Sequence, residues 1–236
     1  MKVLILICPL LHFTAIAEEL EASYKNESEL GIVVTSGNSD VFTLSAKQSS
    51  IWLGPKESYL LKARYLRSSN EGFENALQWG IGLRYERSIT DPLGFFLGES
   101  LESNIYQLIL QRYSTDIGGK YFFHKEKKLN WFAEAGYRFM RENYPIQFQN
   151  SNLARLYSEV ELEMSLVAIF KLSLEYLPNF SRWSGYLLNS GFSLTSAFSD
   201  SFSLKSGFDF RYNHEPPAGA RSDVDRIFTT ALVAKF

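Results

Sequence analysis

Three glutamates spaced two residues apart, Glu159, Glu161 and Glu163, put three carboxylates on one face of any extended strand. Like charges that close repel unless cations answer them, and Arg138 and Lys171 stand on the flanking segments. If they are answered the row is structural; if not, it draws cations. The pattern recurs along the chain. Arg64, Arg84, Arg112, Lys120, Arg138, Lys171, Lys205 and Arg211 share one parity of their segments with Glu86, Asp116, Glu134, Glu175 and Asp209. Charges of both signs on one face have two uses. They can form a salt-bridge lattice that fills and stiffens an interior, or line a polar pore whose charged rings set ion or solute preference.

Bond-making chemistry would need other residues. Of the three histidines, His12 lies in the apolar N-terminal run, His124 in a lysine-rich stretch, and His214 beside Glu215, Ser222 and Asp223. A rim hydrolase built on His214 would require a serine or aspartate in hydrogen-bond reach. No G-x-S-x-G, H-E-x-x-H or phosphate-binding glycine loop occurs. No enzyme, metal or cofactor is expected.

The elements that carry these charges alternate with a period of two. Leu77, Trp79, Ile81, Leu83 and Tyr85 oppose Gln78, Gly80, Gly82, Arg84 and Glu86. Trp131, Ala133, Ala135, Tyr137 and Phe139 oppose Glu134, Gly136 and Arg138, and Leu156, Val160, Leu162 and Met164 oppose the glutamate row. About twelve such segments follow one another, the first turning at 36–38 and the fifth blurred between Phe95 and Leu110. The twelfth, Val224 to Phe236, puts Phe228, Leu232 and Phe236 on one row and ends on an aromatic ring. That row is the expected assembly signal for the barrel-assembly machinery.

No later segment approaches ~18 consecutive apolar residues, so a helical span is excluded, but strands escape that test because only alternate residues face lipid. The fold expected is all-β, a closed antiparallel transmembrane β-barrel of about twelve strands, because closure leaves no unpaired edge in lipid. On this assignment Ile81 faces lipid, where a charge costs ~2–4 kcal/mol, whereas substitutions at Arg84 mainly tune the interior.

Residues 1–17 read as a signal peptide, with Lys2, an apolar run and an Ala15-Ile16-Ala17 cleavage site. The single cysteine, Cys8, lies inside it, leaving an exported chain without disulfides. A short periplasmic segment is expected over 18–27, and the barrel over 28–236. Net charge is -2, so nucleic acid is not an expected partner. If Phe236 lies at the periplasmic side, short turns fall inside and longer outer loops span 143–152, 179–185 and 214–223. Aromatics then sort into two girdles, with Trp52, Tyr59, Phe95, Phe123 and Trp131 at one end and Phe42, Tyr65, Tyr113, Phe139 and Tyr176 at the other. Arg67, Arg141, Arg155, Arg182, Arg211, Arg221 and Arg226 cluster toward the outer end, where forked guanidinium groups suit outer-membrane lipids and the phosphates of lipopolysaccharide. Phe148, Phe180 and Trp183 in the outer loops are candidate surface contacts.

GIVVTSGNSD from Gly31, LEYLPN from Leu174, NHEPPAGARSD from Asn213 and the closing ALVAKF resemble the YdiY-like family of salt-induced outer-membrane proteins. The resemblance covers nearly all of the chain after the leader. It implies an outer-membrane location and a barrel, with a link to salt or osmotic conditions and no defined activity. The expected function is a narrow, non-enzymatic channel or envelope component with a charged lumen. The alternative is a structural or surface-binding barrel whose lumen is closed.

Overall fold

The computed structural model describes residues 23–35, 40–181, 184–217, 219, 220 and 222–236. Twelve strands follow in chain order: β1 Ser23–Thr35, β2 Val41–Leu53, β3 Glu57–Asn70, β4 Phe73–Ser88, β5 Leu93–Asn104, β6 Ile109–Lys125, β7 Leu129–Asn143, β8 Phe148–Glu163, β9 Ala168–Pro178, β10 Tyr186–Ala197, β11 Phe202–Asn213 and β12 Val224–Lys235. Each pairs antiparallel with its sequence neighbours, and β12 returns to β1 to close the barrel. The expected leader over 1–17, the expected turn at 36–38 and the side chains of Arg182, Trp183 and Arg221 lie outside the described residues.

The period-two rows sort as the alternation requires. Ile81, Leu83, Ile117, Leu172, Leu204, Phe228 and Leu232 are exposed on the outer surface, where water alone would leave an unfavourable apolar belt. Rings meet near the end that carries the termini, as Tyr24–Trp52, Tyr59–Tyr85 and Phe123–Trp131. At the other end Tyr186 meets both Tyr176 and Tyr212.

Two expectations need correction. Pairing starts at Ser23 rather than 28, because β2 runs long enough to pair Ser23 with Leu53. The stretch 143–152 is mostly ladder, with Asn143 opposite Phe148 and only 144–147 left to turn. At that same end β3 and β4 join through Glu71 and Gly72, both at positive φ (52° and 79°), the backbone of a tight hairpin. Long connections are therefore confined to 179–185 and 214–223.

β5 explains the blurred stretch. Its inward row contains Phe96, fully buried, while Glu99 and Ser103 share the outward row, so the alternation is broken on both faces. A short 3-10 turn, Ile105–Gln107, capped by Asn104, then leads into β6.

The seam is short. β1 and β12 pair only over Glu27–Leu30 against Lys235–Leu232, extended by reciprocal backbone bonds between Asn26 and Phe236 of 3.0 and 3.1 Å. Just beyond, Gly31 lies so near the Thr230 carbonyl that a Cβ would come within 2.6 Å of it, so glycine is needed for the two strands to approach.

Candidate functional site

The inward rows of β4 to β9 build a lattice of ion pairs. Glu134 on β7 is its hub, 5% exposed, taking two bonds from Arg84 (2.6 and 3.2 Å) and one from Arg155 (2.5 Å). Arg84 also donates to Glu86 (2.6 Å), which accepts from Lys120 (2.9 Å). Arg155 reaches Glu175 at 2.8 Å and lies 3.7 Å from Asp116. Arg138 grips Asp116 with both prongs (2.6 and 2.7 Å) and touches Glu175 at 3.2 Å. Nearer the far end, Arg112 bridges Glu102 (2.7 Å) and Glu142 (2.5 Å), and Arg64 pairs with Glu102 from the other side.

This lattice rests on aromatic rings. The Arg84 guanidinium lies 4.0 Å from the Phe96 ring centre, and the Lys120 ammonium 4.0 Å from that of Phe132. Phe96 fits because the facing residues are glycines. A Cβ on Gly118 would come 2.7 Å from the Phe96 ring and 2.8 Å from the Gly136 backbone. Forked arginine–carboxylate bonds in so dry a setting fix geometry, and removing one partner strands the other's charge.

The opposite wall is different. A cavity of about 670 Å³ runs between β1–β3, β9–β12 and the edge of the lattice. Its charged pairs are looser: Lys47–Asp209 at 3.7 Å, and Glu27 at 3.8 Å from both Lys205 and Lys235. Lys205–Glu29 at 2.5 Å is one tight exception. Lys171 pairs with Glu159 at 2.7 Å and approaches Glu161 at 3.8 Å, while Tyr157 donates to Glu159 at 2.5 Å. The glutamate row is thus answered by Lys171 but not by Arg138, which is committed to Asp116 and Glu175. Glu163 and Arg211 make no ion pair among the described residues, and Arg211 lines the cavity. Lys62 lines it too, also without an ion pair.

At the far end the mouth is narrowed from several sides. Asn104 on β5 donates to Asp225 on β12 across the barrel at 3.1 Å. Gly219, in the 214–223 loop, sits over Leu108, and Met140, Leu153 and Leu177 form a buried apolar cluster on the inner wall.

Arg155 is the principal correction to the sequence reading. The sequence reading placed it in an outer arginine group, yet it shares the parity of Glu159, Glu161 and Glu163, and on β8 it turns inward beside Glu134. Arg211 also belongs to the interior, whereas Arg67, Arg141 and Arg226 lie on the exposed face. The inward parity of Glu102 and Glu142 was hidden in irregular stretches, and that of Glu27 by the assignment of 18–27 to a separate segment. His214 stacks on Tyr186 at 4.7 Å and hydrogen-bonds Tyr212, while the Ser222 hydroxyl accepts from the Val224 backbone N–H. No hydrogen bond among the described residues joins His214 to Ser222. Among the described residues no group of three or more metal-ligating side chains occurs.

A family model described as "Protein of unknown function, DUF481" matches residues 28–236. Comparison with curated proteins finds no match. Among solved structures, the NanC porin superposes with a TM-score of 0.56 at 10% identity, covering 89% of this chain and 98% of its own. An outer membrane channel from Pseudomonas putida F1 gives 0.51 at 10% identity, covering 93% and 97%. The KdgM porin, solved in complex with disordered oligogalacturonate, gives 0.50 at 10% identity, covering 91% and 99%. At such identities the likeness is one of fold.

Proposed function

We propose that this chain, which belongs to the DUF481 family, is an outer-membrane channel, narrow and non-enzymatic, whose lumen is half filled by a fixed lattice and half open. The observation that carries the reading is the 670 Å³ cavity running beside the lattice with charged and polar side chains along its wall. The apolar outer belt supports a lipid setting, and the rings near both ends suit its two interfaces. With Phe236 at the periplasmic side, the loop that narrows the mouth faces outward. Arg67, Arg141 and Arg226 then sit on the outer face near that end, placed to meet lipopolysaccharide phosphates. Reconstitution in planar bilayers tests the reading: discrete conductance steps are expected, and their absence at high protein density would overturn it.

The second reading, a structural barrel with a closed lumen, draws on the Asn104–Asp225 bond and the Met140–Leu153–Leu177 cluster at the far mouth. Asn104→Ala with Asp225→Ala separates the two. Conductance that appears only in the double variant favours a closed resting barrel. The osmotic role implied by family resemblance draws support from the loose pairs on the cavity wall, which salt screens readily. Loss of the gene is expected to lower survival after a salt upshift.

A further inference from the structure

The two walls of the cavity are not balanced in their free charge. Every carboxylate on the cavity wall is held by at least one cation within 4.0 Å: Glu102 and Glu175 by the lattice arginines, Glu159 by Lys171, Glu27 and Glu29 by Lys205, and Asp209 by Lys47. Two cations on the same wall have no such partner among the described residues, Lys62 on β3 and Arg211 on β11.

Their surroundings explain why. Lys62 faces Glu159 and Glu86, but Lys171 and Tyr157 hold the first, and Arg84 and Lys120 hold the second. Its other charged neighbours, Lys171 and Arg84, repel it. Arg211 stands opposite Asp225 in the β11–β12 ladder, yet Asp225 is engaged by Asn104 from across the barrel, and no ion pair joins Arg211 to it. The two free cations also sit at different depths. Arg211 lies two residues from the far end of β11, and Lys62 lies in the half of β3 nearer the termini.

From this imbalance we infer that the lumen selects small anionic solutes, carboxylates or phosphates, which exchange their water for Arg211 at the mouth and then Lys62 deeper in. Among the described residues of the cavity wall, cations meet no carboxylate that lacks a cation within 4.0 Å. A low-dielectric wall focuses such uncompensated charge, raising the local concentration of the opposite ion. The guanidinium can take two oxygens of one anion at once, and the ammonium serves as a point charge that releases it.

The inference rests on the open-lumen reading, and the experiment separates the two failures. In planar bilayers under a potassium chloride gradient, the reversal potential should report chloride as the more permeant ion. Lys62→Gln with Arg211→Gln should cut that preference roughly tenfold, while Lys127→Gln, in the 126–128 turn, should not change it. Cation preference in the wild type, or a double variant with unchanged selectivity, would overturn the inference and leave the channel standing. If no conductance is seen, the channel reading falls, and the anion preference is read by thiol labelling instead. The chain after its leader has no cysteine, so Ser193→Cys places one thiol on the cavity wall. An anionic methanethiosulfonate should modify it faster than a cationic one, and the double variant should erase the difference. Equal rates in the parent chain would sink the inference. Folding of each variant is checked by heat-modifiable migration, and the single variants serve if the double fails to fold.

Discussion

The two walls of the lumen use the same residue types to opposite ends. On β4 to β9, arginine forks and carboxylates are buried together over Phe96 and Phe132, with multiple bonds under 3 Å. On β1–β3 and β9–β12, lysines make most of the ion pairs, several of them open to 3.7 or 3.8 Å, and space remains for water. What separates a filler from a passage here is desolvation and fork geometry rather than the amount of charge. A dry, forked pair cannot let go; a wet lysine can.

That contrast predicts a graded series of stability losses, read as urea midpoints for unfolding from lipid vesicles. Arg155→Met should be the most damaging. It removes one of the two arginines that hold Glu134 and loosens Glu175 and Asp116, for a cost of about 3–5 kcal/mol. Gly118→Val comes next, since the new side chain must displace the Phe96 ring or the Gly136 backbone, costing about 1–3 kcal/mol. Lys47→Gln on the open wall should cost no more than about 0.5 kcal/mol, because both its partner and itself are over a third exposed at the side chain (36% and 38%). An Arg155→Met barrel as stable as Lys47→Gln would erase the distinction between the walls. The smallest effect concerns salt: raising ionic strength should alter unitary conductance through the open wall beyond bulk scaling, while the unfolding midpoint of the lattice stays nearly level. A midpoint that falls as steeply as the pairs on the open wall loosen would show the lattice to be wet.

Much of this was legible from alternation alone. Parity put Arg84, Glu134, Arg138 and Lys171 inside and Ile81, Leu83 and Phe228 outside. It could not show how tightly the inner charges are bound. Arg84 is caged by Glu86, Glu134 and Phe96, so its replacement by isoleucine should unsettle the lattice, not merely tune the interior. Inward apolar residues were invisible for a related reason. In a barrel the apolar row is read as the outer one, so Phe96, Leu153 and Met140 carry no mark of being inside. One signal did exist. Gly118 and Gly136 fall on the inward parity of adjacent strands, and paired glycines there announce a close approach from something bulky.

The short seam between β1 and β12 has a consequence for the lifetime of the closed ring. Four paired residues and the Asn26–Phe236 bonds hold it, against fifteen pairs between β7 and β8. Opening a ring is governed by its weakest join, so amide protons at Ser28, Leu30 and Leu232 should exchange with deuterium as one unit, well ahead of those in β7. Once unzipped, the freed edges of β1 and β12 offer the same backbone pattern to any other strand in the bilayer. The least-paired join of this ring is thus also where a foreign strand could enter, and Phe236, bonded to Asn26, is the latch on it.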